Sequence, residues 1–209
     1  MTQTATRTGA AKGFLLVLMQ PPPSLEDEFN AWYDTEHLAE RLAVPGFETA
    51  LRFVCIDGHP RYLAMYDLTH FGVLESEAYQ RVGFDRASPW TKRVTSRVRI
   101  YRSAGEQIYT NGGGVTKRAS RIRLLRFRGL EKSDGEAIIA GMRKAYEGLP
   151  EVSQVRVLAY DNSSDGKGGS FDYLGFVEAH APITAPLDVK LFGAHADALD
   201  LVNTYAPYC

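Results

Sequence analysis

Cysteine is scarce in this chain: two in 209 residues, Cys55 and Cys209. Two thiols cannot build a disulfide framework, which excludes a small secreted scaffold held by bridges. A charge excess is also missing, since 24 Lys and Arg face 25 Asp and Glu. Without a basic balance the chain lacks the electrostatic footprint of a nucleic-acid binder. No apolar run reaches 18 residues, so no membrane-spanning helix is expected, and residues 1–12 lack the apolar stretch of a secretory signal. These absences predict a cytoplasmic protein with a small-molecule substrate and no nucleic-acid or membrane partner. Phosphate and metal chemistry have no motif either. Gly112-Gly113-Gly114 lacks the strand-to-helix context and the Lys-Ser/Thr ending of a phosphate loop. No spacing of His, Cys, Asp and Glu makes a metal site, and His37 with Glu36 or Glu40 is too few ligands, so neither metal nor cofactor is expected.

What is present is a hydrophobic fraction of 44% over a length that suits one domain or two repeated halves. Residues 1–12 are small and polar and read as a disordered arm. Phe14 to Met19 is a continuous apolar run, the pattern of a strand buried on both faces, and Pro21-Pro22-Pro23 ends it. Ser24 followed by Glu26, Asp27 and Glu28 reads as a helix N-cap with an acidic first turn. That helix should run to about Ala43 and stop at Pro45-Gly46. Two β-rich stretches flank Gly58-His59-Pro60, a shorter helical segment starts at Val73, and Thr95 to Tyr101 alternates as a strand. The order is β-α-β-β-α-β, the split ferredoxin-like arrangement.

Residues 103–119 read as a linker, after which the order restarts. Ile122 to Phe127 is a strand and Gly135 to Leu149 a helix. Val152 to Tyr160 and Tyr173 to Ala179 are strands, and Leu187 to Tyr205 is mostly helical, with Val202 to Tyr208 the candidate for a short last strand. The chain is therefore expected to be α+β, with an N-terminal repeat over 13–102 that carries the site and a degenerate C-terminal repeat over 120–209. Each four-stranded sheet has helices on one face only. The bare faces should pack together as a barrel, either within one chain or between two.

Candidate chemistry is concentrated between Phe29 and Phe47. On a helical wheel of about 100° per residue starting at Leu25, Leu25, Phe29, Trp32, Ala39 and Ala43 share an apolar arc. Glu36 falls inside that arc at about 20°, where a carboxylate needs a partner or a cavity and its proton affinity should rise. Arg52 is a candidate partner across the helix–sheet layer. Tyr33 and His37 stack on the flank of the arc, with Asp34 beside them to orient the imidazole. A lone histidine on a helix flank is usually a surface residue. The density of Trp32, Tyr33, Asp34, Glu36, His37 and Arg41 within ten positions is costly to keep as plain core.

The stretch Trp32 to Arg41 (WYDTEHLAER), with Val44 to Phe47 (VPGF), Arg61 to Leu68 (RYLAMYDL) and Ser88 to Arg93 (SPWTKR), resembles the EthD-like branch of the dimeric α+β barrel superfamily. The resemblance covers residues 14–101, and only the order of elements carries into the second half. It implies a pocket between helices and sheet with His37 at the acid/base position, and it implies a homodimer. The superfamily includes lactone isomerases, polyketide cyclases, decarboxylases, and quinol-forming and haem-degrading monooxygenases. The helix Gly135 to Leu149 has no Trp, His or Asp counterpart to the motif, which predicts one pocket per chain.

The expected function is a cofactor-independent lyase, decarboxylase or isomerase acting by proton transfer on a small aromatic, phenolic, keto or lactone metabolite of a catabolic pathway. In that reading His37, assisted by Asp34 or Glu36, moves the proton and Tyr33 or Tyr66 stabilises the oxyanion. Arg41, Arg52 or Arg93 holds a carboxylate, while Trp32 and Trp90 wall the pocket. The alternatives are a haem- or quinol-type monooxygenase of the same superfamily, and a non-catalytic binding or structural module.

Overall fold

The computed structural model describes residues 11–83, 86–115, 119–162 and 170–208. Nearly all of the expected N-terminal arm, and Cys209, lie outside these residues. The elements run β1 (Gly13–Gln20), α1 (Glu26–Trp32), a π-helical turn (Tyr33–His37), α2 (Leu38–Leu42), β2 (Leu51–Cys55), β3 (Tyr62–Leu68), α3 (Glu77–Arg81), α4 (Pro89–Thr95) and β4 (Arg99–Thr110). The second half follows with β5 (Arg121–Leu130), α5 (Gly135–Tyr146), β6 (Val152–Asp161), β7 (Phe171–Ala179), a 3-10 stretch (Val189–Ala198) and β8 (Leu199–Pro207). This is the α+β class with two β-α-β-β-α-β halves.

The strands pair antiparallel throughout and close a barrel in the order β1-β3-β2-β8-β5-β7-β6-β4, with β4 returning to β1. Each half supplies four strands, so closure takes place within one chain and needs no second copy. The alternation along β1 explains its unbroken apolar sequence. Phe14, Leu16 and Leu18 pack with Leu124, Leu158, Leu174 and Phe176 of the other half, inside the barrel. Leu15 and Met19, on the opposite face, pack with Phe29, Trp32 and Tyr33 under the first helices. Both faces of the strand are buried, each side chain contributing about 1.5–3 kcal/mol by leaving water. The C-terminal helix layer is a third apolar cluster, with Ile138 and Met142 of α5 on Phe127 and Val177.

Three local expectations are corrected. Ser24 does not cap the first helix, because Pro22 to Leu25 already turn as a 3-10 segment and α1 begins at Glu26 without a side-chain cap. Helix does not extend from Leu187 to Tyr205, since Gly193 adopts φ 55° within the 3-10 stretch and the chain becomes β8 at Leu199. β4 runs on to Thr110, through the first eight residues of the stretch read as linker, because β6 offers it a partner from Glu106 onward. Gly46 at φ 99° ends the first helical region as Pro45-Gly46 predicted, in a conformation L side chains avoid.

Candidate functional site

The π-helical turn decides which side chains of the motif point inward. The Leu38 N–H bonds the Tyr33 carbonyl, five residues back rather than four. Thr35 Oγ1 donates to the Ala31 carbonyl at 2.7 Å, the side-chain competition that disturbs a helical ladder. One extra residue in the turn rotates everything after it by about one wheel position, roughly 100°. His37 therefore occupies the inward slot that the uniform wheel assigned to Glu36. The same shift buries Arg41 and turns Leu42 out to solvent at 49% exposure.

His37 lines a cavity of about 160 Å³ between this helix, α3, α4 and the outer faces of β1, β3 and β4. Trp32, Tyr33, Arg41 and Tyr66 line it as well. The His37 ring lies 4.2 Å from the Trp32 ring (centroid to centroid) and meets Tyr33 edge-on at 5.0 Å. Burial and the neighbouring Arg41 and Arg52 charges hold the His37 proton affinity well below the ordinary imidazole range, so the ring is neutral at pH 7. Burial and the adjoining Tyr33 hydroxyl push the Tyr66 phenol well up, against a smaller pull from the two arginines, and keep it protonated. Tyr33 donates to Met19 Sδ at 3.1 Å. Two buried polar atoms in this cavity have no partner, His37 Nδ1 and Arg41 Nη1, while Tyr66 Oη has only the Tyr33 hydroxyl beside it. Proteins pair more than about 90% of their buried polar groups, so two such atoms lining one hollow are donors or acceptors open to a ligand.

The other candidates stand elsewhere. Glu36 does not line the cavity. Its carboxylate accepts from Ser88 Oγ at 2.5 Å and Thr91 Oγ1 at 2.9 Å, tying the first helix to the start of α4. Asp34 is exposed and does not orient His37. It pairs with Arg52 at 2.8 Å, while Asn30 Oδ1 accepts from the same guanidinium at 2.6 Å. Arg52 is thus Asp34's partner and not Glu36's, held between the Tyr33 and Tyr208 rings at 4.3 and 4.1 Å. Trp90 and Arg93 both engage Glu28 on the outside of α1 and do not wall the cavity. Met19, Tyr79 and Thr91 line it without having been singled out. Met19 shows as an outward residue in the β1 alternation, whereas the approach of α3 and α4 has no signal in the sequence. Replacing Glu36 by Gln should therefore cost stability, about 1–2 kcal/mol for a charge-assisted hydrogen bond. The measurement is the urea midpoint, and the acid limb of any activity profile should stay in place.

No protein-family model and no curated protein matches this sequence. Solved structures do match the fold. An anthrone oxidase-like protein superposes with a TM-score of 0.68 at 13% identity, over 97% of this chain and 93% of that one. A protein of Lactobacillus acidophilus described as a proposed monooxygenase gives 0.51 at 9% identity, over 95% and 93%. A haem-binding protein of Thermus thermophilus gives 0.50 at 9%, over 95% and 92%. At such identities the likeness is one of fold alone, an α+β barrel. The neighbours also correct the expected lyase, decarboxylase or isomerase: they are described as oxidase-like, monooxygenase and haem-binding, and they favour the monooxygenase alternative.

Haem does not fit the cavity that holds His37. A cavity of roughly 150 Å³ holds one benzene, so the hollow at His37 is far short of a tetrapyrrole. The larger apolar cavity, about 510 Å³ between β4, β6 and the start of α5, is lined by no His, Cys or Met to serve as axial ligand. His59, His70 and His180 are exposed, and His195 faces Asp134 at 3.3 Å. Among the described residues no cluster of three His, Cys, Asp or Glu could hold a metal ion, and no helix is long and apolar enough to cross a membrane.

Proposed function

We propose that this protein is a quinol-type monooxygenase that oxygenates a one-ring phenol with a free para carbon in the His37 cavity without haem. The observation that carries this reading is the convergence of a neutral buried imidazole and a buried neutral phenol on a hollow of single-ring size. The EthD-like motif belongs to the same reading, since it supplies these residues. The described activities of the fold neighbours point the same way without fixing the substrate.

His37 takes the phenolic proton, and the electron-rich phenolate that results gives one electron to O2. The radical pair joins at the ring carbon para to the oxygen, and His37 returns its proton to the new peroxide. His37 then removes the hydrogen of that carbon, a second C=O forms, and the O–O bond breaks. Hydroxide leaves with the proton from His37 as water. The sum is phenol plus O2 to quinone plus water, with no outside reductant. Tyr66 Oη–H is the donor aimed at the developing oxyanion. Tyr33 and Trp32 wall the ring and exclude water.

The test is oxygen uptake with a panel of one-ring phenols whose para carbon is free, under ¹⁸O2. One labelled atom is expected in the quinone and one in water, with one O2 consumed per quinone. Haemin added to the purified protein should leave the spectrum of free haem unshifted. No uptake with any member of the panel would remove the reading, and a stoichiometric haem band would remove its haem-free form.

A further inference from the structure

We infer that the substrate of this cavity is an aromatic anion whose carboxylate sits on the buried Arg41 guanidinium, with Arg102 at the rim drawing it in. This deepens the monooxygenase reading and rests on it for the identity of the ring. Among the described residues the lining holds three cations, Arg41, Lys92 and Arg102, and no Asp or Glu. Arg41 is only 8% exposed, and among the described residues no carboxylate pairs with it. Its guanidinium lies over the Tyr79 ring at 5.0 Å, and the residue lines the cavity. Arg41 Nη1 is the donor on that fork that meets nothing.

A buried, unpaired guanidinium costs several kcal/mol, and an arriving carboxylate recovers that cost by charge-assisted hydrogen bonds. The contrast with Arg52 on the same helix–sheet layer is informative. That arginine is equally buried but is met by Asp34, Asn30 and two aromatic faces, and it takes no part in the cavity. Arg41 is the one left for a ligand. The cavity's volume of about 160 Å³ admits one ring, so a carboxylate on Arg41 places the rest of that ring against His37 and Tyr66. A hydroxyl meta to the carboxylate leaves its own para carbon free for oxygen.

The experiment is anaerobic calorimetric titration of the full chain with 3-hydroxybenzoate and with its uncharged counterpart, 3-hydroxybenzyl alcohol. Wild-type protein should bind the anion at least about tenfold more tightly. Arg41→Gln should abolish that preference, and Arg41→Lys should retain part of it. Arg102→Gln, at the rim, should weaken the anion by a smaller factor and reduce its salt dependence. Equal binding of the two probes, binding of neither, or a preference that survives in Arg41→Gln would overturn the inference. Since wild type alone gives the first comparison, a poorly folding variant leaves the test intact. Anion binding without oxygen uptake would remove the proposed reaction and keep the subsite.

Discussion

Replacing His37 by Gln should lower kcat/KM for oxygen uptake by about 10²- to 10⁴-fold, the range of a lost general acid/base group. The melting temperature should change little. Glutamine keeps a polar atom near the position of Nδ1 and roughly the same volume, so the cavity wall survives while the proton acceptor is lost. The pH profile carries a second signature. The groups facing this imidazole are Arg41 and Arg52 as charges, Tyr33 and Tyr66 as neutral phenols, and Lys92 and Arg102 along the lining. None of these is an acid, so His37 stays unprotonated below its ordinary value near 6.5. The acid limb of kcat/KM should accordingly lie below pH 6.5, on the acid side of a free imidazole.

Stability follows the same proton. Below about pH 6.5 the unfolded chain binds a proton at His37 that the folded chain refuses, so folding weakens as pH falls from there toward the lowered folded-state value. The contribution is absent above pH 7 and has a slope of at most about 1.4 kcal/mol per pH unit for one group. In His37→Gln that slope should vanish, which urea titrations between pH 5 and 7 would reveal. An unshifted acid limb together with an unchanged stability slope would mean that the imidazole is not enclosed.

The barrel was legible because its physics is periodic. Phe14 to Met19 announced a strand buried on both faces, and the two faces now belong to the barrel interior and the helix layer. The site was legible in composition but misassigned in direction. A wheel assumes a uniform helix, and the Thr35–Ala31 hydrogen bond with the five-residue turn at Tyr33 breaks that assumption within the motif itself. Glu36 and His37 exchanged places as a result. Trp90 and Arg93 misled for a different reason: both side chains suit a planar anion, but Glu28, one turn into α1, claims them first. Tertiary neighbours of that kind leave no local pattern. The C-terminal strand was hidden likewise, because Gly193 breaks a helical-looking sequence six residues before the pairing with β5 begins at Leu199.

Arg156→Leu should destabilise the fold by about 3–5 kcal/mol, the cost of leaving one half of a buried ion pair alone. At this chain length that is a fall of roughly 6–20 °C in melting temperature. Arg156 of β6 is 1% exposed and pairs inside the barrel with Asp67 of β3, itself 3% exposed, while Gln107 accepts from its Nε at 2.6 Å. The pair joins the two repeats across the interior. The Asp67 carboxylate also takes the Val115 N–H at 2.7 Å and the Thr49 hydroxyl at 3.0 Å. Gly114 approaches so closely that a Cβ there would stand 2.7 Å from Asp67 Oδ2. Asp67→Leu should cost a similar amount, yet the double variant Asp67→Leu/Arg156→Leu should recover most of the loss, because neither charge is then stranded. Tyr66 precedes Asp67 on the same strand and points the opposite way, into the cavity. A single variant that loosens β3 should therefore weaken 3-hydroxybenzoate binding together with stability, and the double variant should restore both. Recovery of stability without recovery of binding would show that the ion pair sets the position of Tyr66 rather than merely holding the barrel closed.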